Sequence, residues 1–253
     1  MNCGDSIILA SSLFLGGGVA QLVRAIACHA IGRGFESRHS RHKTMLKNFF
    51  YKFLYKNFEY SQAGQDLFAY ELFGKAGTYI DVGSGEPKRN NNTYMLETFY
   101  NWKGFSVDIG HANPIEKKNI QQRWTLCTER KNKIYWTDSL TFNYKRAIVE
   151  NNLDFNIDFL SCDIDPQEKT FLALKKVFND GIRPKYIAFE TDYYKEKKDY
   201  CIIAYNFLKP LGYKIAIKNV CSNFKKNKIF ETWFVKEEIN FKTIEYFEWL
   251  KKK

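Results

Sequence analysis

Acidic residues in this chain fall where short apolar runs end. Asp81 lies in the run Thr78–Val82 just before two glycines, Asp108 sits near the end of the run at 103–109, Asp163 and Asp165 follow 157–162, and Glu190 follows 185–189. A solvated surface would scatter its carboxylates. Acids gathered at strand ends point instead to one polar cleft, because ligands of open α/β sheets sit outside the carboxyl ends of the strands. Carboxylates placed there can accept hydrogen bonds from ligand hydroxyl or ammonium groups, act as a general base, or hold a hard cation. Asp163 with Glu190 or Asp192 is the set this order allows for Mg2+. Asp165, directly ahead of Pro166, is also placed to cap a helix.

The segment Tyr79-Ile80-Asp81-Val82-Gly83-Ser84-Gly85-Glu86 is the most informative. Gly83 and Gly85 after a strand let the backbone approach a ligand closely. A dinucleotide loop of the GxGxxG kind would need a third glycine, and position 88 is Lys. Asp81, two residues before the first glycine, can take the amino group of a cationic ligand, which a pyrophosphate loop does not need. Asp108 lies 23 residues after Gly85, where an acid can accept both ribose hydroxyls; a dinucleotide fold would share that spacing. Six cysteines without a CxxC spacing exclude a zinc ribbon and a thioredoxin-type pair.

The elements that must carry these residues alternate. Helices are expected at Gln65–Phe73, ending at Gly74, at 91–100 with Tyr94, Leu96, Phe99 and Tyr100 inward, at 168–178, and at Tyr200–Leu208. Strands are expected at Thr78–Val82, 103–109, 123–127, 157–162 and 185–189. The stretches 213–220 and 229–235 alternate like two antiparallel strands around a polar turn at 222–228. The expected fold is α/β: a Rossmann-like, mostly parallel seven-stranded sheet, helices on both faces, and a C-terminal antiparallel hairpin. A hydrophobic content of 45%, with 22 Phe and 16 Tyr, excludes a disordered chain. No apolar run reaches the roughly 20 residues of a membrane span.

The first 44 residues differ in composition from the rest. They hold six of the 15 Gly and three of the four His, with Phe14 and Phe35 as their only aromatics. Ala20-Gln21-Leu22-Val23-Arg24-Ala25 back-translates into a tRNA D-arm, and Phe35-Glu36-Ser37 into a T-loop. Residues 1–44 therefore resemble a translated tRNA gene, and the expectation is a non-native, disordered extension with the native start at Met45. They carry five Lys/Arg and two Asp/Glu, so +3 of the chain's +11 belongs to them and +8 to the remainder. Outside them the only histidine is His111. A basic aromatic helix is expected at 45–60, ahead of a single domain at 61–253.

Three blocks of the remainder resemble the FkbM family of class I S-adenosylmethionine-dependent methyltransferases. Ser61-Gln62-Ala63-Gly64-Gln65-Asp66 is similar to its SQxGQD block. Tyr79 to Asp108 is similar to its glycine motif, followed by Asn92-Thr93-Tyr94, Leu96-Glu97 and Trp102-Lys103-Gly104. Residues 157–165 are similar to its IDFLKIDVEGxE block, with Glu168 at the last acid. The family's Glu-Gly after the fourth strand is Asp165-Pro166 here, and its Val-Glu-Pro after the second is Val107-Asp108-Ile109. The resemblance implies S-adenosylmethionine as cofactor, held by Asp81, Gly83, Gly85, Asp108 and Asp163. It implies O-methylation of a sugar, glycan or small metabolite by a cytoplasmic enzyme, with Asp165, Glu168 and Glu190 as candidate bases and no metal assigned. Two alternatives stay open, a nucleic-acid methyltransferase and a non-catalytic protein that keeps the cofactor fold. Against the former, the basic residues are spread along the chain, and no Asn/Asp-Pro-Pro-Tyr block is present.

Overall fold

The chain divides into two compact units, 1–49 and 50–253, and the second carries everything described below. The computed structural model describes residues 60–192, 198–221 and 229–241; the expectations for 1–44, for the helix at 45–60 and for the turn at 222–228 lie outside them. The elements are α1 (Gln65–Phe73), β1 (Thr78–Val82), α2 (Tyr94–Tyr100), β2 (Lys103–Asp108), α3 (Pro114–Leu126), β3 (Lys133–Trp136), α4 (Tyr144–Glu150), β4 (Phe159–Cys162), α5 (Gln167–Asn179), β5 (Tyr186–Glu190), α6 (Tyr200–Leu208), a 3-10 turn (Lys209–Leu211), β6 (Tyr213–Cys221) and β7 (Ile229–Lys236).

The strands form one seven-stranded sheet in the order β3-β2-β1-β4-β5-β7-β6. The first five are parallel, and β7 runs antiparallel between β5 and β6. This is the Rossmann-like, mostly parallel seven-stranded sheet with a C-terminal antiparallel hairpin that the sequence led us to expect. The central strands are buried on both faces, as parallel sheets require. Alternation along each strand sorts side chains into two cores. Ile80, Val82, Leu160, Cys162, Ile187 and Phe189 pack with α4, α5 and α6. Tyr79, Phe159, Tyr186, Ala188, Trp233 and Val235 pack on the other face, with Phe68 of α1 and Leu96 of α2. Period-two alternation then places Asp81, Ser161, Asp163, Glu190 and Glu231 on this second face, at the carboxyl ends of β1, β4 and β5 and beside the start of β7.

Several expectations need correction. The third strand is not at 123–127, which is the end of α3 and the turn after it; β3 is Lys133–Trp136. Asn113 caps α3, its side-chain oxygen accepting from the N–H groups of Ile115 and Glu116, with Pro114 in the first turn. Only Trp124 of this helix is buried, so it carries no apolar stripe for a periodicity to reveal. β3 lies at the sheet edge and is half-buried, which removes the apolar run expected of an interior strand. The helix α4 was not anticipated; it is short and buries Tyr144, Ala147 and Ile148. Phe99, expected to face inward, is exposed. Asp165 does not cap α5: Pro166 occupies the N-cap position, without a side-chain hydrogen bond.

Candidate functional site

A cleft of about 280 Å³ opens at the carboxyl ends of β1 and β4, lined by residues that include Gln62, Asp81, Gly83, Gly85, Asn92 and Asp163. The two glycines are there for different reasons. Gly83 has φ +82, and a Cβ on it would lie 1.8 Å from the carbonyl oxygen of Asp163. Contact with the chain leaving β4 therefore dictates glycine at this position, before any ligand is considered. Gly85 has φ +58 with nothing within 4 Å of the added carbon, so backbone handedness alone selects it.

Asp81 is buried, and its Oδ2 accepts from the Thr93 hydroxyl at 3.0 Å. Burial pushes its carboxyl up to about 6, against the lowering influence of Arg130 and of hydrogen bonds from Ser161 and Thr93. Asp108 closes β2 and ties two turns together, accepting from Gly85 N–H at 2.8 Å and from Gly110 N–H at 2.5 Å. Its carboxyl is also raised by burial. Asn92 donates to the Ser161 hydroxyl at 3.0 Å. Its Oδ1, like Ser84 Oγ, is buried with no hydrogen-bond partner, and both residues line the cleft. Orphaned neutral polar atoms in a cleft are what a polar ligand would satisfy.

Sequence reasoning missed the support behind this turn. From α3, Trp124 donates its indole N–H to the Gly85 carbonyl at 2.8 Å, and Arg123 pairs with Glu86 through two hydrogen bonds of 2.7 and 2.6 Å. Beyond the helix, Arg130 runs beneath the loop. It donates to Asn91 Oδ1 at 2.8 Å and to the Thr93 hydroxyl at 3.2 Å, and its guanidinium lies over the Trp124 ring. Its Nε sits 2.7 Å from Glu97 Oε2, a charge contact rather than an aligned hydrogen bond, with both side chains buried. Glu97 also accepts from Tyr79 Oη at 2.8 Å and from the N–H groups of Lys131 and Asn132. Glu97 was visible as part of a motif. Arg130, alone in a loop, carried no sequence signal.

The remaining acids gather around β4, β5 and β7. Asp165, Glu190 and Asp192 each present one oxygen, and the three oxygens lie within 4.8 Å of one another. Burial, then the charge of Asp163 and a hydrogen bond with it, drives the Glu190 carboxyl far upward. Glu231 faces Glu190 across the β5–β7 ladder; its Oε2 accepts from Gln65 Nε2 at 3.0 Å while its Oε1 is buried without a partner. Burial raises its carboxyl to about 8. Glu168 stands apart, exposed in the first turn of α5, and His111 is exposed after β2. The structure thus brings together Asp81, Gly83, Gly85 and Asp163 in the cleft, with Asp108 bonded to Gly85. It groups Asp165 with Glu190 and leaves Glu168 outside.

No family model matches this chain, and no curated protein matches it. Solved structures with a similar chain course include the small RNA methyltransferase HEN1, at 13% identity and a TM-score of 0.45 over 70% of this chain and 25% of that one. Spermidine synthase from Thermotoga maritima gives 11% and 0.44 over 71% and 59%. TYW2 of M. jannaschii, solved in complex with AdoMet, gives 10% and 0.40 over 81% and 80%. The chain spans about a quarter of the HEN1 chain that it matches. The strand order and direction within this chain's own sheet, rather than these likenesses, identify its fold as Rossmann-like with a C-terminal antiparallel hairpin.

Proposed function

We propose that this chain is an S-adenosylmethionine-dependent methyltransferase acting on an oxygen of a small hydroxylated acceptor, a sugar, glycan or metabolite. The observation that carries the reading is the cleft, where Asp81, the Gly83–Gly85 turn and Asp163 meet at the ends of adjacent parallel strands, with Asp108 joined to the same turn. The residues present fit the cofactor. Asp81 would take its ammonium group and Asp108 its ribose hydroxyls, and the orphaned Asn92 Oδ1 and Ser84 Oγ offer further polar contacts. When bound, the cofactor supplies an electrophilic methyl group on a sulfonium. The chain's part is to align an acceptor in line with that group, exclude water, and receive the acceptor's proton as the new bond forms. Asp165 and Glu190 are the candidates for the proton, since they share one cluster. Glu168 would serve only an acceptor reaching the exposed rim.

The carboxylates near the cleft favour a neutral or cationic acceptor over a phosphate-bearing one. The test has two stages. Calorimetry with S-adenosylhomocysteine should give one binding site that Asp81→Asn weakens strongly. Radiolabelled methyl transfer should then be scored across glycan, small-molecule, lipid and RNA fractions. Label in RNA would replace this reading with the nucleic-acid one, and absence of cofactor binding would replace both with a non-catalytic role.

A further inference from the structure

Asp165, Glu190 and Asp192 come from the loop after β4, the last residue of β5 and the chain just beyond it, and their nearest oxygens fall within 4.8 Å of one another. Oxygen ligands bind Mg2+ or Ca2+ at about 2.0–2.6 Å, so ligands sharing one ion stand about 3–5 Å apart. The spacing is therefore that of a coordination sphere. A second observation gives it weight. Glu190 is only 6% exposed, its Oε2 is buried and accepts no hydrogen bond, and no Lys or Arg among the described residues pairs with it. A polar oxygen buried without a partner is costly, and a cation that displaces the carboxyl proton would relieve it.

We propose that Asp165, Glu190 and Asp192 form a binding site for a hard divalent cation such as Mg2+ or Mn2+. The donor set is all oxygen, which selects such ions over Zn2+. The set differs from the one the sequence offered, in which Asp163 was the central ligand: Asp163 lines the cofactor cleft, and Asp165 takes its place. What the ion does rests on the methyl-transfer reading, under which it neutralises the three acids and polarises an acceptor hydroxyl. Its binding does not rest on that reading.

The experiment is a Mn2+ titration of the full chain followed by electron paramagnetic resonance, without cofactor, with Mg2+ as competitor. One saturable site is expected, with Glu190→Gln and Asp165→Asn each weakening it about tenfold or more, equivalent to about 1.4 kcal/mol or more. Asp165 is exposed, so its variant keeps the fold. Asp192→Asn is a third test, because Asn tolerates the left-handed φ of 37 found there. Circular dichroism verifies folding, and calorimetry with S-adenosylhomocysteine, expected to be retained in all three variants, reports the cofactor cleft separately. Absence of saturable Mn2+ binding at millimolar concentration, or binding that survives both Glu190→Gln and Asp165→Asn, overturns the site. Mn2+ binding without cofactor binding leaves the site standing and removes the methyl-transfer reading.

Discussion

On β1 and β2, the acids Asp81 and Asp108 are held by donors from the chain itself: Thr93 for one, the N–H groups of Gly85 and Gly110 for the other. Arg130 adds a buried positive charge close enough to favour the ionised form of Asp81. On β5 and β7, Glu190 and Glu231 lie opposite one another, and each keeps one buried oxygen with no hydrogen-bond donor. The same end of the sheet therefore has a self-sufficient half and a half where crowded, buried carboxyl groups hold on to their protons. The first is preorganised for a ligand before the ligand arrives. The second is incomplete until something positive enters. Burial pushes carboxyl groups up in both halves, but only in the first does an arginine oppose it.

The contrast can be broken from either side. The largest effect is expected at Gly83, where alanine would collide with the Asp163 backbone and adopt a left-handed φ, costing about 3 kcal/mol or more. Gly85→Ala, strained but unobstructed, should cost only about 1 kcal/mol. Denaturant melts of the two variants check the difference. Arg130→Met should cost roughly 3–5 kcal/mol, because Glu97 would be left as a buried charge without its partner. Double replacement with Glu97→Leu should recover part of that loss.

Asp81→Asn should weaken cofactor binding by about 10- to 100-fold, the loss of a charge-assisted contact worth about 1.5–3 kcal/mol. The wild-type profile should depend on pH in a defined direction. The folded carboxyl, at about 6, holds its proton more tightly than the reference value of 3.8, so that proton stabilises the free protein. The contribution is lost as pH rises from about 4 to about 6. Cofactor binding, which needs the ionised form, should run the opposite way and fall up to about tenfold per pH unit below 6. Calorimetric titrations across this range would test it, with Asp81→Asn giving a flat profile. The smallest effect belongs to the second half. Glu231→Gln keeps an oxygen for Gln65 and Trp233 and replaces a carboxyl that, at about 8, holds its proton at neutral pH, so a denaturant melt at pH 7 should shift by less than about 0.5 kcal/mol.

Much of this arrangement was legible from residue order. Strand ends, the glycine turn and the antiparallel final pair are local or period-two features, and Asp81, Gly83, Gly85, Asp108 and Asp163 all lie where their positions implied. The failures were of two kinds. Edge elements such as α3 and β3 carry a weak hydrophobic signal because little of them is buried, so the third strand was misplaced. Single residues in loops, Arg130 above all, act across a long sequence separation and have no local pattern.

No described helix is long and apolar enough to cross a membrane. By itself the sequence determined six of the seven strands, that they lie in a mostly parallel sheet, and which acids stand at their ends, because alternation and glycine geometry act between neighbours along the chain. Only the tertiary structure decided how those acids divide. Insertion of β7 beside β5 sets Glu231 against Glu190, the loop after α3 brings Arg130 to the Thr93 hydroxyl that bonds Asp81, and the turn after β4 carries Asp165 as well as Asp163 to Glu190. Charge balance in a buried site depends on distances between residues far apart in sequence, and those distances exist only once the sheet has formed.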